Sequence, residues 1–146
     1  SAVSIPVFTS SLMLVPLVSK MIGRKKVGII TADASHLKEK HLRGAGIDSI
    51  PFAVAGMEDQ KEFHRVLRGN ETNMDADEIE REVLSVARRL VSENPDIGAI
   101  VLECANMPPY AQAVRKETGL PVFDILSLAE MMHGALFKKE FQKELW

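Results

Sequence analysis

A three-layer α/β fold with a parallel central sheet is the class this sequence predicts, and two observations predict it. Five short runs rich in Val and Ile are apolar on both faces, and amphipathic segments alternate with them. The runs are residues 5–9 (IPVFT), 26–32 (KVGIITA), 49–54 (SIPFAV), 97–104 (IGAIVLEC) and 120–126 (LPVFDIL). Strands covered by helices on both sides read this way, whereas a strand with one wet face alternates polar and apolar residues.

Between these runs the helices are placed by period and by their ends. The clearest follows Asp75: Ile79, Val83, Val86, Ala87, Leu90 and Val91 fall on one stripe. Asp75 with Glu78 three residues on resembles a capping box, acidic residues crowd the first turn, and Pro95 stops the helix. A second helix is expected over residues 109–118, closed by Gly119. Others are expected over residues 12–22, 36–45, 58–68 and 127–146.

The chain of 146 residues is long enough to bury one core without disulfides or structural metal. Its 18 basic and 20 acidic residues form no basic block, which argues against nucleic acid as a partner. The apolar segment LMLVPLV is short and broken by Pro16, so no membrane span is expected. Cys104 is the one cysteine, which excludes an intrachain disulfide and suits a reducing, cytoplasmic setting.

In an open parallel sheet, ligands sit beyond the carboxyl ends of the strands, where loops and helix N-termini present backbone N–H groups. Cys104 falls at such an end, ahead of a helix starting near Pro108 or Pro109. A helix N-terminus there favours thiolate over thiol. Glu103 works against this where it points the same way, but strand alternation sends it to the opposite face. The competing reading of Cys104 is a small buried hydrophobe.

Thr9, Ser10, Ser11 and Thr31 carry hydroxyls at two other strand ends, suited to fixing a carboxylate or amide; helix N-capping is the alternative for Ser10 and Ser11. Asp33, His36 and His41 lie near one loop, yet their presence defines no coordination geometry, and no metal is assigned. The four histidines, His36, His41, His64 and His133, lie on helical patterns and read as surface or satisfied residues. KVGIITADAS lacks the glycine fingerprint and the P-loop lysine, so no nucleotide cofactor is expected.

VLECANMPPYAQAVRKETGLPVFD resembles the second cysteine motif of the aspartate/glutamate/hydantoin racemase superfamily, and KKVGIITADASHL with IPVFTSSLMLVPL resembles the crossing between that family's two halves. The resemblance implies a flavodoxin-like half of a pseudo-symmetric fold, in which two cysteines face opposite sides of a substrate's α-carbon. One thiolate removes a proton, the other thiol returns it, and no cofactor is needed. By this resemblance Cys104 is the second cysteine, residues 1–24 are a remnant strand and helix of the first half, 25–126 the second half, and 127–146 a C-terminal helix.

The implied function is a racemase or isomerase of an amino acid, hydantoin or related small carboxylate, inactive as this chain alone. The family's Gly before the cysteine and Thr-His after it are replaced here by Glu103 and by Ala105-Asn106. That loss argues against glutamate or aspartate, while Asn106 keeps a donor for a carboxylate or amide. A single-cysteine decarboxylase and a non-catalytic ligand-binding module are the other readings. Apolar surface on the first segment and the last helix is expected to pair with each other or with a neighbouring copy in a homo-oligomer.

Overall fold

The computed structural model describes residues 7–69 and 71–138. Four parallel strands, β1 (Lys26–Thr31), β2 (Phe52–Gly56), β3 (Ile97–Leu102) and β4 (Val122–Phe123), form one sheet in the order β2-β1-β3-β4. Helices cover both faces, so the molecule is a three-layer α/β structure. All six residues of β3 are buried, as a central strand flanked on each side requires.

Alternation along β1 and β3 builds two cores. Ile30, Ile100 and Leu102 face α3 (Lys61–Gly69), α4 (Ala76–Glu93) and α5 (Ala111–Thr118), meeting Phe63, Leu90 and Val114. Val27, Ile29, Ala99 and Val101 face the other way, toward Val15 and Val18 of α1 (Val15–Ile22), Leu42 of α2 (Glu39–Gly44) and Leu128 of α6 (Ile125–Leu136). The first segment and the last helix therefore share a core with the sheet, and α6 packs on the 3-10 turn Ser11–Leu14 through Leu128, Leu12 and Leu14. Gly28 lets α4 approach β1, since a Cβ there would lie 3.1 Å from Leu90 Cδ2.

Several helix ends follow the expected chemistry. The Asp75 carboxylate accepts the Glu78 N–H at 2.9 Å and starts α4, and Gly119 ends α5 in the left-handed region at φ 68°. The start of α3 is capped from a distance: Glu82 on α4 accepts the N–H groups of Glu62 and Phe63, each at 2.8 Å. A carboxylate placed there satisfies two orphan donors and meets the positive end of the helix.

Three expectations need correction. Residues 7–9 form no strand, and Val7 and Phe8 are exposed; residues 5 and 6 lie outside the described residues. The run at 120–126 is a strand only over Val122–Phe123, because Asp124 accepts the Ser127 N–H at 2.9 Å and turns the chain into α6 two residues before the expected start. The helix expected over 36–45 is broken into a 3-10 turn Ala34–His36, held by Asp33, and the shorter α2. The expected continuation of α6 over 139–146 lies outside the described residues. Among the described residues no helix is long and apolar enough to cross a membrane.

Removing the Glu82 carboxylate leaves two N–H groups at the start of α3 unpaired. Glu82→Ala is expected to lower the unfolding free energy by about 1–3 kcal/mol in urea denaturation, and Glu82→Gln by less. An unchanged midpoint for Glu82→Ala would show that the cap is dispensable.

Candidate active site

The carboxyl ends of β1 and β3 lie side by side, since Ile30 pairs with Leu102 and the Glu103 N–H donates to the Ile30 carbonyl at 2.7 Å. The alternation of the two strands carries on past this point. Glu103 follows Val101 to the α1/α2 side, where its carboxylate accepts the Thr31 hydroxyl at 2.8 Å. Cys104 follows Leu102 to the other side and packs against the α3–α5 core. The expectation that the two side chains part to opposite faces holds.

After Cys104 the chain makes a tight turn, with the Met107 N–H donating to the Cys104 carbonyl at 3.1 Å. Met107 is fully buried and pins the turn, while Ala105 and Asn106 are exposed at its tip. A 3-10 turn, Pro108–Tyr110, then leads into α5, with Pro at its start where a missing N–H costs nothing. The helix thus begins seven residues after Cys104 and not directly beside it.

The free thiol of Cys104 is half-buried, and its pKa is raised. Burial is the largest cause, and the negative charge of Glu103 adds to it despite lying on the other side of the strand. Hydrogen bonds from the Asn106 backbone and side chain to the sulfur pull the other way without prevailing. The direction is opposite to the one expected from a nearby helix N-terminus, because the intervening turn keeps α5 away while the core removes water.

A cleft of about 780 Å³ opens beyond the ends of β1 and β3, lined from the 3-10 turn Ser11–Leu14, from α2 and from α3. Of the residues singled out from sequence, Thr9, Ser10 and Thr31 line it, whereas Cys104, Ala105, Asn106 and Ser11 do not. Ser11 is fully buried and its hydroxyl donates to the Leu102 carbonyl at 2.8 Å, so it secures the end of β3 and is out of reach of a ligand. Ser10 does what the capping alternative described: its hydroxyl accepts the Leu12 N–H at 3.2 Å. The Thr31 hydroxyl is engaged by Glu103.

Glu103 is the cleft residue that sequence reasoning weighed only as a neighbour of the thiol. The signal was present in the strand pattern, since Thr31 and Glu103 both continue the faces of Ile29 and Val101. His36, Lys40, His41 and His64 also line the cleft, His36 from the 3-10 turn Ala34–His36, Lys40 and His41 from α2, and His64 from α3. Asp33 and His36 meet at 2.7 Å, and hydrogen bonding, first from the Ser35 hydroxyl, holds the Asp33 carboxyl down at about 2. His41 turns aside, its Nδ1 accepting the Lys38 N–H at 3.1 Å. Among the described residues no group of three or more His, Cys, Asp or Glu side chains is arranged to hold a metal ion.

A parallel sheet that ends in a cysteine turn defines a class, and the sequence places the chain within it. Residues 1–131 match the model of the Asp/Glu/Hydantoin racemase family, and the chain belongs to that family. Among curated relatives, a dimethylsulfoniopropionate lyase of Durusdinium sp. clade D is 32% identical over 131 residues, covering 86% of this chain and 43% of the relative. Dimethylsulfoniopropionate lyase 3 of Emiliania huxleyi (strain CCMP1516) is 32% identical over 146 residues, covering 93% of this chain and 38% of the relative. The chain spans less than half the length of these relatives. Among solved structures, allantoin racemase from Klebsiella pneumoniae has the same fold, with a TM-score of 0.63 at 23% identity, over 86% of this chain and 47% of that one. Allantoin racemase from Pseudomonas fluorescens gives 0.59 at 18% identity, over 86% and 50%.

A raised thiol pKa has a direct chemical readout. Alkylation by iodoacetamide, followed against pH, is expected to show a midpoint above the ordinary cysteine value of about 8.5, because only the thiolate reacts. Glu103→Gln, which removes the adjacent charge, is expected to move that midpoint down. A midpoint at or below the ordinary value would contradict the role of burial.

Proposed function

We propose that Cys104 serves as an acid/base on the carbon α to a carboxylate, in an enzyme that needs no cofactor, and that the net reaction is a β-elimination. The observation that carries this reading is the free Cys104 thiol on a pinned turn at the carboxyl end of β3, with Asn106 donors on its sulfur. A thiol of raised pKa is a stronger base once deprotonated, which suits removal of a proton from a weakly acidic carbon. In this reading the second N–H of the exposed Asn106 amide receives the carboxylate, whose charge grows as the C–H bond breaks.

Elimination is favoured over racemisation by the names of the curated relatives, which are dimethylsulfoniopropionate lyases. For dimethylsulfoniopropionate the balance is simple. The Cys104 thiolate takes an α proton, the C–H electron pair becomes the Cα=Cβ bond, and the C–S bond breaks with its pair on sulfur. Acrylate and neutral dimethyl sulfide leave, and the thiol returns its proton to water.

The racemase reading carried by the family resemblance remains the second one, with residues 1–24 as the last elements of a first half and Cys104 as one of two bases. The two readings differ in products, so the same assay separates them: release of dimethyl sulfide marks elimination, and loss of optical activity from a chiral hydantoin marks racemisation.

The full-length protein is expected to release dimethyl sulfide from dimethylsulfoniopropionate, and Cys104→Ser to lower kcat/KM by at least about 100-fold with the fold intact by circular dichroism. Activity within a few-fold of the parent would remove Cys104 from the chemistry. Absence of dimethyl sulfide together with racemisation of a hydantoin would favour the second reading.

A further inference from the structure

Glu103 stands apart from Asp33, the other carboxylate that lines the cleft. Its carboxylate accepts one hydroxyl, from Thr31, a residue only 4% exposed, and Glu103 is one of the residues lining the open cavity. Among the described residues no Lys, Arg or His forms an ion pair with it. Asp33, by contrast, is engaged by Ser35 and His36. A half-buried carboxylate held in place by a buried hydroxyl, beside a cavity and without an ion-pair partner among the described residues, leaves a position that a ligand cation can fill.

The cavity also tells what kind of cation fits. Leu12, Met13, Leu37 and Phe63 contribute apolar wall to the cavity that Glu103 lines, and apolar wall offers no partner to a primary ammonium, which needs three. An onium centre carries its charge under methyl groups and donates no conventional hydrogen bond, so it matches a carboxylate set in apolar surroundings.

We propose that the Thr31–Glu103 pair is a cation subsite that selects substrates bearing a sulfonium or quaternary ammonium group next to the reacting carboxylate. The inference rests on the α-proton reading for the placement of the other end of the substrate. Glu103 and Cys104 are consecutive residues on two sides of one strand end, so a short zwitterion laid across that end presents its cation to the carboxylate and its α-carbon to the thiol. Glu103 sets specificity by its attraction for the bound cation, and that attraction is lost as the C–S pair moves onto sulfur and neutral dimethyl sulfide leaves.

The test is a pair of ligands with the same shape and the same carboxylate. Dimethylsulfoniopropionate and 4-methylpentanoate differ only in a sulfonium replaced by a CH, so the attraction of Lys40 and the cleft histidines for the carboxylate cancels between them. Affinities are measured by calorimetry with the full-length protein carrying Cys104→Ala, so that nothing turns over. The expected result is a preference of at least about tenfold for the sulfonium ligand. Glu103→Gln in the same background is expected to bring the ratio close to one while changing 4-methylpentanoate affinity less than about twofold. An absent preference, or one that survives Glu103→Gln, overturns the subsite.

If Glu103→Gln binds neither ligand, trimethylsulfonium with the Cys104→Ala protein decides: competition with dimethylsulfoniopropionate supports the subsite and its absence overturns it. The outcome is separable from that of the reaction. Loss of preference in Glu103→Gln from a protein that releases no dimethyl sulfide leaves the subsite standing and the lyase reading lost. Release of dimethyl sulfide with kcat/KM unchanged by Glu103→Gln does the reverse.

Discussion

The pairing of β1 with β3 is the constraint on which the site depends. Both strands are buried on both faces, so their register cannot slip by one residue without exchanging the side chains of two separate cores. With Ile30 fixed opposite Leu102, everything beyond the strand ends is placed by alternation alone. Glu103 must fall beside Thr31 on the α1/α2 side, and Cys104 must fall on the α3–α5 side. The Ser11 hydroxyl on the Leu102 carbonyl and the buried Met107 then stop the strand end and the turn from moving.

That arrangement sets the chemistry on offer. The core that positions Cys104 also withdraws water from it, and Glu103 adds a negative charge across the strand, so the thiol rests protonated at neutral pH. A resting thiol of raised pKa is a reluctant nucleophile but a capable proton acceptor once ionised, which fits proton transfer at carbon better than covalent catalysis. A substrate cation beside Glu103, as proposed above, would offset the charge that disfavours the thiolate. Binding would thereby ease ionisation of the base that the reaction needs, and the two consecutive residues would act in sequence.

The fold was legible because its signals are strong and redundant. Val/Ile runs apolar on both faces, the Asp75 cap and Gly119 each report one physical requirement; four of the five runs hold a strand, and both helix ends reappear in the structure. The misreadings fall where local chemistry overrode a hydrophobic run. Asp124 captured Ser127 and ended β4 after two residues, and Asp33 broke the start of the expected helix before α2.

At the site, the position of Cys104 and its separation from Glu103 could be read from period two alone. What could not be read was burial, which reversed the expected direction of the thiol pKa, and the course of the chain, which gathered Asp33, His36, His41 and His64 around one cavity. The commitment of Ser11 to Leu102 was equally invisible, since that contact spans 91 residues and depends on how α1 docks on the sheet.

The central claim is that the bond broken first is the C–H bond α to the carboxylate and that Cys104 receives the proton. Its most direct test compares dimethylsulfoniopropionate with its α,α-dideuterated form in the full-length protein and in Cys104→Ser. The expected result is a primary kinetic isotope effect on kcat/KM that is larger in Cys104→Ser, because the poorer base makes proton transfer fully limiting. An isotope effect absent from both proteins, or present and identical in the two, would contradict the claim.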